Sequence, residues 1–150
     1  MLSIKRNKCW LCCFVALICN GCGAVRELPQ TTADTAVRYR IHIARGDLQL
    51  SGITLLKSQD GQIRGSVINE FGVKAFDMVA NRRRTRLLHA AGPIGKWYVR
   101  QAIGRDLHFW LRHRDLPAAS EGPRTLQGSL QDMTVQNRRT GLSYQFNLME

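Results

Sequence analysis

Thiols and imidazoles are the side chains in this sequence best suited to metal or nucleophile chemistry, and their spacing argues against both. All five cysteines, Cys9, Cys12, Cys13, Cys19 and Cys22, fall within the first 22 of 150 residues. Cys9-x-x-Cys12 with Cys19-x-x-Cys22 has the outward form of a zinc pattern, yet the residues between are almost entirely apolar and offer no folded scaffold for a site. Of the four histidines, His42, His89, His108 and His113, the last two share a helical stretch. Five positions apart, they point about 140° from one another and make poor joint ligands. No His-Glu-x-x-His, Gly-x-Ser-x-Gly, phosphate-cradling Gly-x-x-x-x-Gly-Lys or calcium loop occurs. The expectation is a protein that is not an enzyme, with no catalytic residue, no metal ligand and no cofactor. A triad assembled only in space is the route to hydrolysis that the sequence leaves open. Asp106 falls on the apolar arc of the same helix, where a carboxylate needs a partner; a bond to a strand arginine is expected rather than an acid/base role. Arg45-Gly46-Asp47 reads as a turn between strands.

Charge is the strongest global feature. The chain carries 22 Lys and Arg against 11 Asp and Glu, net +11. The first 21 residues hold three of those basic residues and no acid, which leaves the remainder at +8. Arg82, Arg83, Arg84 and Arg86 cluster at one turn, with Arg100, Arg105, Arg112 and Arg114 on or near the helix. Such a surface suits anionic lipid, an anionic polymer or an acidic partner protein, or serves only as a solvated face. In an exported protein no nucleic acid is expected as partner.

Composition and periodicity supply the elements that position these groups. At 44% apolar and 22% charged, with 4 Pro and no low-complexity run, the chain reads as globular. Val37, Tyr39, Ile41 and Ile43 alternate with Arg38, Arg40 and His42, a half-buried strand with a basic outer face. Leu48, Leu50, Ile53 and Leu55 predict the next strand, with a bulge at Gly52 to absorb the change of phase. Asp60-Gly61 is a strong hairpin signal before 63–69. Phe71-Gly72 and Asn81 to Arg84 then turn the chain into strands at 73–80 and 85–91.

After Gly92-Pro93 the period changes. At about 100° per residue, Trp110, Ile103, Leu107 and Leu111 fall within about 120° of Val99, which predicts an amphipathic helix over about 96–113. Pro117 and Gly122-Pro123 are read as loop, and strands return at 133–136 and 142–148. The resulting expectation is an α+β fold: a curved antiparallel sheet of about seven strands with one long helix on its concave face. Val99, Ala102, Ile103, Leu107 and Trp110 are then the candidate walls of a groove for an apolar ligand. The alternative is a helix packed shut as core.

The first 22 residues read as an address. Lys5, Arg6 and Lys8 precede eleven consecutive apolar residues, Cys9 to Cys19, and then Asn20, Gly21 and Cys22. That run is short of the roughly 20 residues a bilayer span needs. The stretch resembles a bacterial lipoprotein signal, with Gly21 and Cys22 matching the motif and Cys19 standing where leucine is usual; an ordinary cleaved signal is the competing reading. The resemblance implies a lipid on Cys22, with a signal peptide over 1–21 and an acylated cysteine and polar tether over 22–36; the remaining length, 37–150, suits one α+β domain. Gly23 in place of Asp implies the outer membrane of a bacterial envelope, facing the periplasm. Ser51-Gly52-Ile53-Thr54-Leu55-Leu56, the turn Asn69-Glu70-Phe71-Gly72 and the late basic helix are similar to uncharacterised outer-membrane lipoproteins of Gram-negative bacteria. More distantly they resemble the lipoprotein-localisation factor family. That implies a non-catalytic, lipid-anchored module for an acyl chain, lipoprotein or partner protein. Alternatives are a structural or assembly component with no ligand, or a binder of anionic lipid through its basic surface.

Overall fold

The computed structural model describes residues 36–150; Cys22, the stretch 1–21 and most of the tether lie outside the described residues. The chain runs β1 (Val37–Arg45), β2 (Leu48–Gln59), β3 (Gln62–Asn69), β4 (Lys74–Ala80), β5 (Thr85–Leu88), a 3-10 turn (Gly92–Gly95), α1 (Trp97–His113), β6 (Ala118–Glu121), β7 (Arg124–Gly128), β8 (Asp132–Asn137) and β9 (Leu142–Met149). All nine strands form one sheet in the order β5-β4-β3-β2-β1-β9-β8-β7-β6, and every neighbouring pair is antiparallel. The sheet therefore has nine strands where the sequence suggested about seven. The additional pair is the hairpin β6–β7, built across the Gly122-Pro123 segment read as loop.

Alternation along the strands decides which side chains meet the helix. In β1, Tyr39, Ile41 and Ile43 are buried while Arg38 and Arg40 are exposed. Asp60 and Gly61 both adopt positive φ, 51° and 69°, the geometry of a tight two-residue hairpin between β2 and β3. β2 runs through Gly52 without a bulge, and its inward residues are Gly52, Thr54 and Leu56. Ile53 and Leu55, expected inward, instead face out at 39% exposure each. The irregularity lies instead in the β3–β4 ladder, where the register shifts at Val67 and Ile68 and skips Ala75 of β4. A Cβ at position 52 would collide with the Ile68 carbonyl oxygen, so glycine is what lets the two backbones approach.

α1 lies on the inward face. Ile103, Leu107, Trp110 and Leu111 are fully buried. Trp110 stacks on Phe146 of β9 with ring centroids 3.8 Å apart, and meets Tyr39 of β1 edge-on at 5.2 Å. The same helix touches β5 at one end of the strand order and β6, β7 and β8 at the other. Among the described residues no helix is long and apolar enough to cross a membrane.

Candidate functional site

Asp106 anchors α1 to the far half of the sheet. It points inward with the apolar residues, and three donors converge on its carboxylate: Arg124 Nε at 2.6 Å and Asn137 Nδ2 at 2.7 Å on Oδ1, and the Tyr144 hydroxyl at 2.8 Å on Oδ2. Burial, reinforced by the adjacent carboxylate, pushes the Tyr144 phenol well above its usual range, so the hydroxyl stays protonated and donates. The bond to a strand arginine expected for Asp106 is thus present, with two further partners. All of its oxygens are committed to protein donors, an arrangement suited to fixing the helix.

The histidines lie apart. His108 Nδ1 is 3.3 Å from Thr85 Oγ1 on β5, whereas His113 Nδ1 meets the Phe109 carbonyl at 2.8 Å. Burial lowers the His108 pKa, and Arg112 adds to the effect. Among the described residues no three of His, Cys, Asp and Glu come together to hold a metal. One polar cluster on the outer face does combine hydroxyl, carboxylate and imidazole. Ser66 Oγ donates to Asp77 Oδ1 at 2.5 Å, and His89 Nδ1 and Lys74 Nζ lie 3.0 and 3.1 Å from Asp77 Oδ2. The order is wrong for activating the hydroxyl: the carboxylate, rather than an imidazole nitrogen, takes the serine bond. The Ser66 bond, ahead of Lys74 and His89, holds the Asp77 carboxyl below its usual pKa.

Of the five groove candidates on α1, Ile103, Leu107 and Trp110 have no accessible surface, while Val99 and Ala102 are half-buried. Ala102 borders a depression shared with Tyr98, Gln101, Arg105, Arg124 and Arg139, whose character is polar. The helix and sheet therefore meet in packed core at the centre of α1. Open apolar space lies elsewhere, at the end of the sheet where the helix begins. A cleft of about 640 Å³ there is walled by Leu48 and Leu50 of β2, Val73 and Ala75 around the start of β4, and Pro93 and Ile94 of the 3-10 turn. Asn69 shapes its rim: its side-chain oxygen accepts from the Phe71 and Val73 amides at 3.0 and 2.8 Å, which presents Phe71 at 82% exposure and Val73 at 60%. Trp97 and Tyr98 open the helix nearby in chain order, also exposed. Sequence reasoning missed this cleft because its walls come from three separate elements. The available signal was the run of apolar residues at the turn Phe71-Gly72-Val73, where turns are ordinarily polar.

On the outer face, Leu55, Ile68, Val79 and Leu88 border a further depression of about 530 Å³ beside the Asp77 cluster. The four arginines expected to act as one patch divide in the structure. Asn81 Oδ1 accepts from the Arg83 and Arg84 amides at 2.9 and 3.0 Å and shapes the turn. Arg84 and Arg86 line a groove of about 660 Å³ against α1, and Arg82 and Arg83 lie outside it. Comparison of the chain with protein families and with curated proteins finds no match.

Proposed function

We propose that the chain is a lipid-anchored cell-envelope protein whose folded domain is a non-catalytic binding module for an apolar ligand, such as an acyl chain or an acylated protein. The observation that carries this reading is the apolar cleft between β2, the start of β4 and the 3-10 turn. Its size of about 640 Å³ falls in the range usual for ligand sites, which are mostly apolar with few polar groups. The contacts of α1 fit a curved sheet. Neighbouring strands lie about 4.8 Å apart, so in a flat nine-stranded sheet β5 and β6 would lie at the limit of what one helix can touch. Both do touch it, which a sheet bent around α1 would explain, and the cleft would then open at one end of the resulting trough. The anchor rests on the resemblance of residues 1–22 to a lipoprotein signal, with Cys22 carrying the lipid.

The test is uptake of a fluorescent fatty acid by the purified protein. Leu50→Trp and Ala75→Phe fill the cleft from two sides and are expected to abolish uptake while the melting temperature moves little, because both walls are only partly buried. Wild-type protein that takes up no probe refutes the reading. A structural or assembly role without ligand is then favoured by a specific observation, the complete burial of Ile103, Leu107 and Trp110 beneath α1.

A further inference from the structure

The groove between β5 and α1 is distinct from the apolar cleft, and its walls are of a different kind. β5 is four residues long and alternates, with Thr85 and Leu87 buried and Arg86 and Leu88 exposed. The helix approaches it closely at Gly104, where a Cβ would lie 2.7 Å from the Thr85 carbonyl oxygen. That contact fixes the neighbours of Gly104 on the helix surface. Arg100 lies one turn before it and Arg105 one residue after, and both line the groove together with Arg84, just before β5, and Arg86 of β5. Gln101 and Thr85 add hydrogen-bonding groups, while Trp97, 71% exposed, and Leu88, 40% exposed, form an apolar wall at one end.

No carboxylate lines this space. The nearest acids have other partners: Asp77 is bonded to Ser66, Lys74 and His89, and Glu121, which borders an adjoining depression with Arg84 and Arg105, lies 3.6 Å from Arg112. Four arginines, from the turn before β5, from β5 and from α1, therefore line one groove whose own walls hold no carboxylate. Guanidinium forks match the oxygens of phosphate two at a time, and a groove walled by one sign of charge concentrates the opposite sign. We propose that the β5–α1 groove is a binding site for a phosphate-bearing ligand, gripped by Arg84 and Arg86 on one side and Arg100 and Arg105 on the other, with Trp97 and Leu88 against an apolar part of the same molecule. The class that combines these features is the phosphorylated headgroup of a lipid. A free phosphorylated compound shares the anionic chemistry.

The test uses the full chain and two probes: pyrophosphate by titration calorimetry, and phosphatidylcholine vesicles with or without phosphatidic acid by co-sedimentation. The paired variants Arg84→Gln/Arg86→Gln and Arg100→Gln/Arg105→Gln should each weaken binding by roughly tenfold or more. Arg100→Lys/Arg105→Lys should also lose affinity, since it keeps the charge and removes the fork. The control pair Arg38→Gln/Arg40→Gln lies on β1, separated from β5 by three strands, and should leave binding unchanged. Phosphatidic-acid-dependent sedimentation that pyrophosphate competes away identifies the lipid source; pyrophosphate binding without a vesicle effect identifies a free phosphate compound. Either outcome upholds the site. Equal losses from the control pair and the groove pairs reduce the effect to diffuse charge and overturn it, as does a wild-type chain that binds neither probe. Tighter binding to a single-stranded oligonucleotide, growing with its length and absent on vesicles, overturns it in favour of nucleic acid. All substituted positions are exposed, and circular dichroism of each variant checks that it folds.

Discussion

Asp106 is the only buried acid among the described residues, and its neighbours explain why it is tolerated. Replacing it by Ala leaves the Arg124 guanidinium, the Asn137 amide and the Tyr144 hydroxyl facing an empty place, so Asp106→Ala is expected to cost about 3–5 kcal/mol in urea unfolding. Tyr144→Phe removes one charge-assisted bond and should cost about 1.5–3 kcal/mol. His108 makes a pH-dependent contribution of opposite logic to a salt bridge. Burial disfavours its charged form, so the folded state refuses a proton that the unfolded chain accepts near pH 6.5. Stability should be fully present above about pH 6.5 and decline as pH falls from there toward the lowered folded value. His108→Gln is expected to flatten that part of the stability profile, measured by thermal unfolding across the range.

Between α1 and β5 the decisive position is Gly104. Alanine is the better helix former by about 1 kcal/mol, yet its Cβ would press on the Thr85 carbonyl oxygen at 2.7 Å, a backbone atom that gives way only if β5 itself shifts. Gly104→Ala is therefore expected to be net destabilising by about 1–3 kcal/mol. The same change should also weaken anion binding in the β5–α1 groove by spreading Arg100 and Arg105 away from β5. The helix itself and strands β1 to β4 were legible in the sequence because each carries a clear apolar period. The hairpin β6–β7 was not. Ala118–Glu121 contains no large apolar residue, and Leu126 is the sole fully buried side chain of β7. These strands are held by pairing and by the helix above them. Ile53 and Leu55 misled for the opposite reason: they are apolar, yet their strand turns Thr54 and Leu56 inward. The Arg82–Arg86 run was visible as charge, but that two of its members would face Arg100 and Arg105 follows only from how α1 lies against β5.

For the molecule as a whole, charge and address combine. The +8 that remains beyond residue 21 would favour an anionic surface, with each basic residue near such a surface worth on the order of 1 kcal/mol and sensitive to salt. A lipid on Cys22 would hold the domain there independently of salt. Cys22→Ala is accordingly expected to move the protein from the membrane to the soluble fraction of the envelope, and mass spectrometry of the wild type should find an acylated cysteine at the mature N-terminus. Wild-type protein with an unmodified cysteine, or beginning elsewhere, would remove the anchor from the proposal.

The pairing of β1 with β9 has a consequence in time. Arg38 opposes Met149 and Ala44 opposes Ser143, so the centre of the sheet is made of the first and last strands. During synthesis β1 to β5 can meander together as they emerge, but the ladder that joins them to β6–β9 waits for β9, and such distant pairings form slowly. The sheet thus lacks its central seam until β9 has been made, and under the proposed export that delay would keep the domain threadable through a pore that admits only unfolded polypeptide. A version circularly permuted to begin at β6, with β9 leading directly into β1, should fold faster in stopped-flow refolding and be exported less efficiently than the natural order.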